Sequence, residues 1–429
     1  MGKYTTYNEP WVDEEIERHI KIAADKIKAH LPQVLSIFLV GGFGRGEGSV
    51  RLEKEQKKII PINDYDLYLI AEKPIEEDRL NKTAKEIEKE AGSRGYSLYG
   101  YSEKEFYFDL RLVTLAQLKK LPPLIKYYEF RHSSMLIFGE DLRNLMPEFN
   151  KNDLPFSDGL RFLLNRICHI TEWFSVNYLK NESVKDWEKE TLIYDMSKTY
   201  LECATILTLL RGYYEPTYQK RLEQLVVHEG EFKELWQRFP DLLNKIKYFT
   251  GQKLQPNFKE IKDIKKIWFE TRDCAIGVLE FVLKEKYGAG NWRDFKRIAA
   301  KNYFKPYLSV FLFNRFGTLE FLSLLANLLL HKYLNLLWFF RLIKFKKNIH
   351  WPLLFGFIDP GILIFYASLF LCQAVRNDGG LNKEMMVQGI KILKSIYPFK
   401  TPPYDLDGYE NLRKIFSDIW RLYYFQKLL

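Results

Sequence analysis

A chain of 429 residues exceeds what one hydrophobic core usually fills, so roughly two or three domains are expected, and 47% hydrophobic beside 28% charged residues excludes a disordered or collagen-like chain. The net charge of +10, from 65 Lys+Arg against 55 Asp+Glu, favours nucleotides, nucleic acid or an acidic membrane face as partners without selecting among them. Cys168, Cys203, Cys274 and Cys372 lie far apart with no CxxC and no Cys/His pairing, which argues against zinc sites and a disulfide framework and suits a reducing cytoplasm.

The opening Met1-Gly2-Lys3-Tyr4-Thr5-Thr6 lacks the apolar core of a signal peptide, and its overlap with a myristoylation pattern is too short to carry weight. Val12, Ile16, Ile20, Ala23, Ile27 and Leu31 recur at helical spacing and predict a helix with one buried stripe. Residues 34–40 read as a strand that runs into the turn Gly41-Gly42-Phe43-Gly44-Arg45-Gly46-Glu47-Gly48. A charged excursion over 51–58 precedes a second strand at 64–70. A mixed-charge helix at 76–91 then leads to a third strand pair, of which 106–114 is the clearest member. Strand and helix alternate here, so a small mixed sheet with flanking helices is expected.

After about residue 150 the pattern becomes helical, as in Leu192, Met196, Tyr200, Cys203, Leu207 and Leu210, and no internal repeat is visible. The fold class is therefore α+β, with an all-helical remainder. By changes of character the chain divides into 1–150, 151–290 and 291–429, the last either continuous with the preceding bundle or separate from it. Residues 351–375 hold a single charge, Asp359, and follow the basic patch Arg341, Lys344, Lys346 and Lys347, which is the length and flank of a membrane span. Pro360 and Gly361 would break that span near its middle. The apolar run before it, 319–340, carries Glu320, His331 and Lys332. Two buried helices joined at Asp359-Pro360-Gly361 are the favoured reading, with membrane contact the alternative.

The chemistry concentrates in Asn63-Asp64-Tyr65-Asp66-Leu67. Asp64 and Asp66, two apart on a strand, project from one face and can share a hard divalent cation such as Mg2+ or Mn2+. A third acid is expected on a neighbouring strand, where side chains come within about 5 Å. Asp109, alone between Phe108 and Leu110 in a strand-like run, fits. It would complete a second metal site and take the proton of an attacking hydroxyl, directly or through a water. In the glycine turn, backbone N–H groups can converge on phosphate oxygens with no Cβ in the way, and Arg45 is placed to meet a phosphate. Each feature alone is ordinary: a DxD pair at a strand end is often solvated, and glycines after a strand are often only a turn. Their order and agreement carry the argument.

Strand, Gly41-Gly42, the Asp64-x-Asp66 strand and a later lone Asp109 together resemble the DNA polymerase β nucleotidyltransferase superfamily, and Gly44-Arg45-Gly46-Glu47 resembles the variant in several of its members. The resemblance covers about the first third of the chain. It implies a nucleotidyltransferase catalytic domain in residues 1–150 that moves NMP from an NTP to an acceptor hydroxyl and releases pyrophosphate. Gly41 and Gly42 would lie at the phosphates, and Asp64, Asp66 and Asp109 on the metal ions. Residues 43–63, which separate the glycines from the first acid, form a longer insertion than usual, rich in Lys and Glu, expected as a loop or hairpin outside the core.

Relatives with a helical bundle after the sheet present a basic residue to the triphosphate, for which Lys198 is the candidate; the alternative is a surface lysine paired with Glu202 at i, i+4. Tyr213-Tyr214-Glu215-Pro216-Thr217-Tyr218 reads as an interhelical turn whose tyrosines either stack on a base or cover the core edge. Cys168 and His169 read as packing residues. No VAIK, HRD or DFG element follows the glycine cluster and no Gly-Lys-Ser/Thr, which excludes kinase and Walker readings. The acceptor, whether small molecule, protein side chain or RNA 3′ end, is not readable. The competing classes are a non-catalytic nucleotide sensor or toxin–antitoxin-like interaction module, and an enzyme whose helical end docks on lipid.

Overall fold

The computed structural model describes residues 2–53, 55, 57–62, 64–93, 106–180, 182–302, 320–345 and 350–425. By contacts the chain forms two compact units: 1–158 with 186–233 and 241–261, and 159–185 with 234–240 and 262–429. The division by sequence character ran in consecutive segments, whereas these units interleave.

The first unit opens with helix α1, Pro10–His30, started by Pro10 at the first turn and Asp13 near the positive end of the helix dipole, with Val12, Ile16, Ile20, Ala23 and Ile27 buried as the spacing predicts. Strand β1, Val34–Leu39, is followed by a single helical turn at Gly41–Gly44. Strands β2, Val50–Glu53, and β3, Lys58–Pro61, form an antiparallel hairpin. The insertion is thus a hairpin, but not one outside the core: Val50 and Ile59 are 0% and 3% exposed and pack in the main cluster with Ile16 and Ile20.

Strand β4, Tyr65–Ala71, leads through helix α2, Glu77–Ala91, to strand β5, Phe108–Thr114. Helix α3, Ile125–Ser133, and strand β6, Met135–Gly139, complete the sheet, whose order is β5-β4-β1-β6. Only β4 and β5 are parallel. Alternation puts Leu67 and Leu69 on one face, packed with α1 and α2, and Tyr68 and Ile70 on the other, packed with Val113 and Phe130. Residues 94–105, where the other member of the expected strand pair would fall, lie outside the described residues.

No strand follows Gly139 among the described residues. Helix α4, Phe156–Trp173, contains the boundary between the units. Helices α5, Asp186–Leu210, α6, Tyr218–Val227, and α7, Leu242–Leu254, group with the sheet.

The second unit is helical: α8, Ile264–Tyr287; α9, Phe295–Asn302; α10, Glu320–Lys344; α11, Pro360–Ala374; α12, Lys383–Lys394; and α13, Leu406–Phe425. Asp359 caps α11 by accepting from the Gly361 N–H at 2.9 Å, so the expected break falls where the sequence puts it. Ile362, Phe365, Leu369 and Leu371 of α11 are buried. The rest of the apolar segment departs from that expectation: Trp351, Phe355 and Phe357 are 60%, 76% and 62% exposed. No described helix is long and apolar enough to cross a membrane. Lys346 and Lys347 of the basic patch lie outside the described residues. None of the four cysteines is in a disulfide and all are buried, Cys203 in the first unit and the other three in the second.

Candidate metal centre

Parallel pairing of β4 with β5 sets Asp66 directly opposite Asp109, in a register that runs from Tyr65 with Phe108 to Ala71 with Thr114. Asp66 and Asp109 lie on the face of Tyr68, Ile70 and Val113, at the end of it where the apolar cover stops. Asp64 comes just before β4. One carboxylate oxygen from each of Asp64, Asp66 and Asp109 lies within 4.8 Å of the others, the spacing that a divalent cation bridges. The sequence placed these three acids together, and the structure does so.

Burial, together with the negative charges of Asp64 and Asp109, raises the Asp66 carboxyl well above the usual carboxylate range, against the opposing charges of Arg111 and Arg45. A cation among the three oxygens would reverse that balance, because it repays desolvation and neutralises the mutual repulsion. Arg111, two residues past Asp109 and on the same strand face, already supplies part of this charge. Its Nε donates to Asp109 Oδ2 at 2.7 Å and its guanidinium stands 3.9 Å from Asp66 Oδ1.

Gly41 closes one side. Its φ is +65°, and a Cβ there would meet Asp66 Oδ2 at 2.2 Å. Only a glycine lets this backbone turn lie against the carboxylate. The Val40 N–H donates to the Asp66 carbonyl at 2.9 Å, which ties the turn to β4, and the Gly42 carbonyl accepts from the Glu47 N–H at 2.8 Å, which closes the turn on itself. The glycines and the acids therefore form one assembly.

Arg45 is engaged by protein carboxylates. Its side chain is 7% exposed, Nη1 donates to Glu129 Oε2 at 2.5 Å, and Nε is 3.7 Å from Glu47. Glu129 accepts in turn from Arg221 at 2.5 Å and from the Tyr214 hydroxyl at 2.6 Å. Arg45 is thus a member of a buried ion-pair group that fastens the glycine turn to α3 and α6. Lys198 is half-buried, with its ammonium over the Tyr194 ring at 4.7 Å and its charge acting on Lys253. Neither contact joins it to the acid triad. Asp195 of the same helix is 4% exposed. Tyr214 is buried and Tyr218 covers Arg45 at 5.0 Å, so these tyrosines serve the core edge rather than an open stacking platform.

Three participants escaped the sequence. Glu47, 0% exposed, accepts from the Tyr218 N–H at 2.9 Å and the Gln219 N–H at 3.0 Å, capping α6 from the glycine turn. Lys253 of α7 donates to the Glu47 carbonyl at 2.5 Å, and burial, with Arg45, Lys198 and Arg221 near it, brings its ammonium down to about 7. Arg111 is the third. An Asp-x-Arg pair on a strand signalled Arg111, but nothing local signalled the distant partners of Glu47 and Lys253.

No protein-family model matches this chain, and comparison with curated proteins finds no match.

Proposed function

We propose that this protein is a metal-dependent nucleotidyltransferase that transfers NMP from an NTP to an acceptor hydroxyl and releases pyrophosphate. The observation that carries the reading is the in-register pair Asp66 and Asp109, joined by Asp64 within 4.8 Å and abutted by the Gly41 turn. Three carboxylate oxygens and, among the described residues, no histidine or cysteine donor suit Mg2+ or Mn2+, which keep waters for phosphate oxygens to replace. When bound, such ions would neutralise charge developing on the transferred phosphoryl group.

The chain's own residues contribute position. Asp64 and Asp66 would hold the metal on which the triphosphate binds, and the Gly41-Gly42 backbone could approach its phosphates closely because no side chain intervenes. Asp109 faces the acceptor and takes the hydroxyl proton, directly or through a water. Arg111, bonded to Asp109 and 3.9 Å from Asp66 Oδ1, would add positive charge beside the phosphates.

The test is single-turnover pyrophosphate release with each NTP, Mg2+ or Mn2+, and a panel of hydroxyl acceptors, beside equilibrium NTP binding. Asp109→Asn is expected to leave NTP binding largely intact and to slow release by roughly 10² to 10⁴ fold. Asp66→Asn should abolish the metal-dependent part of binding. Release undiminished in both variants would refute the site, and wild-type binding of metal and NTP with no release from any acceptor would make the protein a nucleotide sensor.

A further inference from the structure

Helix α10 is amphipathic in the opposite sense to a helix on a water-facing surface. Asn327, His331 and Asn335, at i, i+4 and i+8, form its polar stripe, and that stripe is turned inward, 4%, 1% and 1% exposed. Its hydrogen bonds go to the protein. Asn327 Nδ2 donates to the Ala300 carbonyl at 2.8 Å, Asn335 Nδ2 donates to the Ile358 carbonyl at 2.8 Å, and the Asp359 N–H donates to His331 Nδ1 at 3.1 Å. Accepting there leaves the proton of His331 on Nε2, which lies 3.0 Å from the Ala300 carbonyl.

The outward stripe is apolar. Leu325, Leu329, Tyr333, Leu337, Phe340 and Ile343 are all exposed, Leu329 by 61% and Phe340 by 62%. Trp351, Phe355 and Phe357, exposed in the segment after the helix, add aromatic area in the same unit. A helix that spends its polar groups on the core and turns leucine and phenylalanine outward is built for an apolar surround on its outer side, since contiguous apolar surface of this kind marks an interaction face.

Charge selects the occupant. Residues 321–358 contain no Asp or Glu and five Lys/Arg, half of the chain's net +10. Lys332, on the flank of the apolar stripe, places its ammonium 4.9 Å from the Phe357 ring and donates to the Leu354 carbonyl, while Lys344 is exposed at the helix end. A second copy would set this basic segment against itself, which repels. A protein partner of ordinary kind would need about one hydrogen bond per 100–200 Å² from a face whose side chains offer almost none. An anionic bilayer asks for what is present: apolar side chains for the acyl boundary and lysines for the headgroups.

We propose that the outer face of α10, with Trp351, Phe355 and Phe357, docks on an anionic lipid surface, lying in the interface rather than crossing it. This inference stands apart from the metal centre and holds or fails without it.

The experiment is flotation of the full chain with vesicles of phosphatidylcholine alone and of phosphatidylcholine mixed with phosphatidylserine, at low and high salt. Wild type is expected to float with the phosphatidylserine vesicles and to be partly released by salt. Leu329→Glu with Phe340→Glu should reduce the bound fraction by about tenfold or more, because two apolar anchors are lost and charge is brought to the acyl boundary. Circular dichroism should show an unchanged fold, since both side chains point outward; if that variant misfolds, Lys344→Glu, which leaves the apolar face intact, is expected to weaken binding in its place. Failure of wild type to float with either vesicle, or flotation that ignores both phosphatidylserine and these substitutions, would overturn the proposal. So would a dimer in light scattering that the double variant dissolves, which would assign the face to a second copy.

Discussion

His19 makes stability depend on pH. It is 2% exposed in α1, its Nδ1 lies 3.0 Å from the Tyr65 hydroxyl, and burial with the charge of Arg18 lowers its imidazole to about 4 from an ordinary 6.5. Between those values the unfolded chain binds the proton that the folded chain refuses. Stability therefore rises with pH across that window and levels off above about 6.5, by about 3 kcal/mol at 1.36 kcal/mol per pKa unit. His19→Gln should flatten that rise. Urea unfolding of both proteins at about pH 4.5 and about pH 7 measures it, and equal pH dependence would remove His19 from the account. Among the site residues, the three acids of the triad were legible, while Glu47 and the partners of Arg45 and Lys253 were not. Alternation on a strand fixes the face of Asp64 and Asp66, and a lone acid in an apolar run marks Asp109. A cation's partner is set by whatever comes near in space. Arg45 sits in a phosphate-like glycine turn, yet Glu129, 84 residues on, claims it.

At the scale of elements, the stripe of α1 and the break before α11 were readable because each is fixed by residues within a few turns of one another. The grouping of α5, α6 and α7 with the sheet was not, since pairs such as Arg51 with Glu190 and Glu47 with Tyr218 span more than a hundred residues of chain. Glu47 is the clearest junction. Thr217 caps α6 by accepting from the Lys220 N–H, and Glu47 takes the N–H groups of Tyr218 and Gln219, so the first turn of the helix is satisfied from two directions. Glu47→Ala is expected to cost about 1–3 kcal/mol, the range for stranding buried donors, and Glu47→Gln less, because the amide oxygen still accepts. Thermal unfolding ranks the three proteins. Equal loss from both substitutions would show that charge rather than capping is what Glu47 supplies.

At the scale of the whole molecule, two units share one chain by turns, and each carries its own buried thiols. Burial raises the Cys168 thiol and pushes Cys372 up to about 12, so neither offers a thiolate to a reagent while its unit stays closed. Reaction then reports opening, which gives the four cysteines the use of a clock: one thiol, Cys203, times the unit with the acid triad, and three time the helical unit. Metal and NTP bound at Asp64, Asp66 and Asp109 would hold only the first unit shut. Cys203 should then label more slowly when Mg2+ and NTP are added, while Cys168, Cys274 and Cys372 keep their rates, as mass spectrometry of labelled peptides would resolve. Uniform slowing of all four would mean that the two units open together, and no slowing of Cys203 would mean that the ligand leaves the first unit as free to open as before.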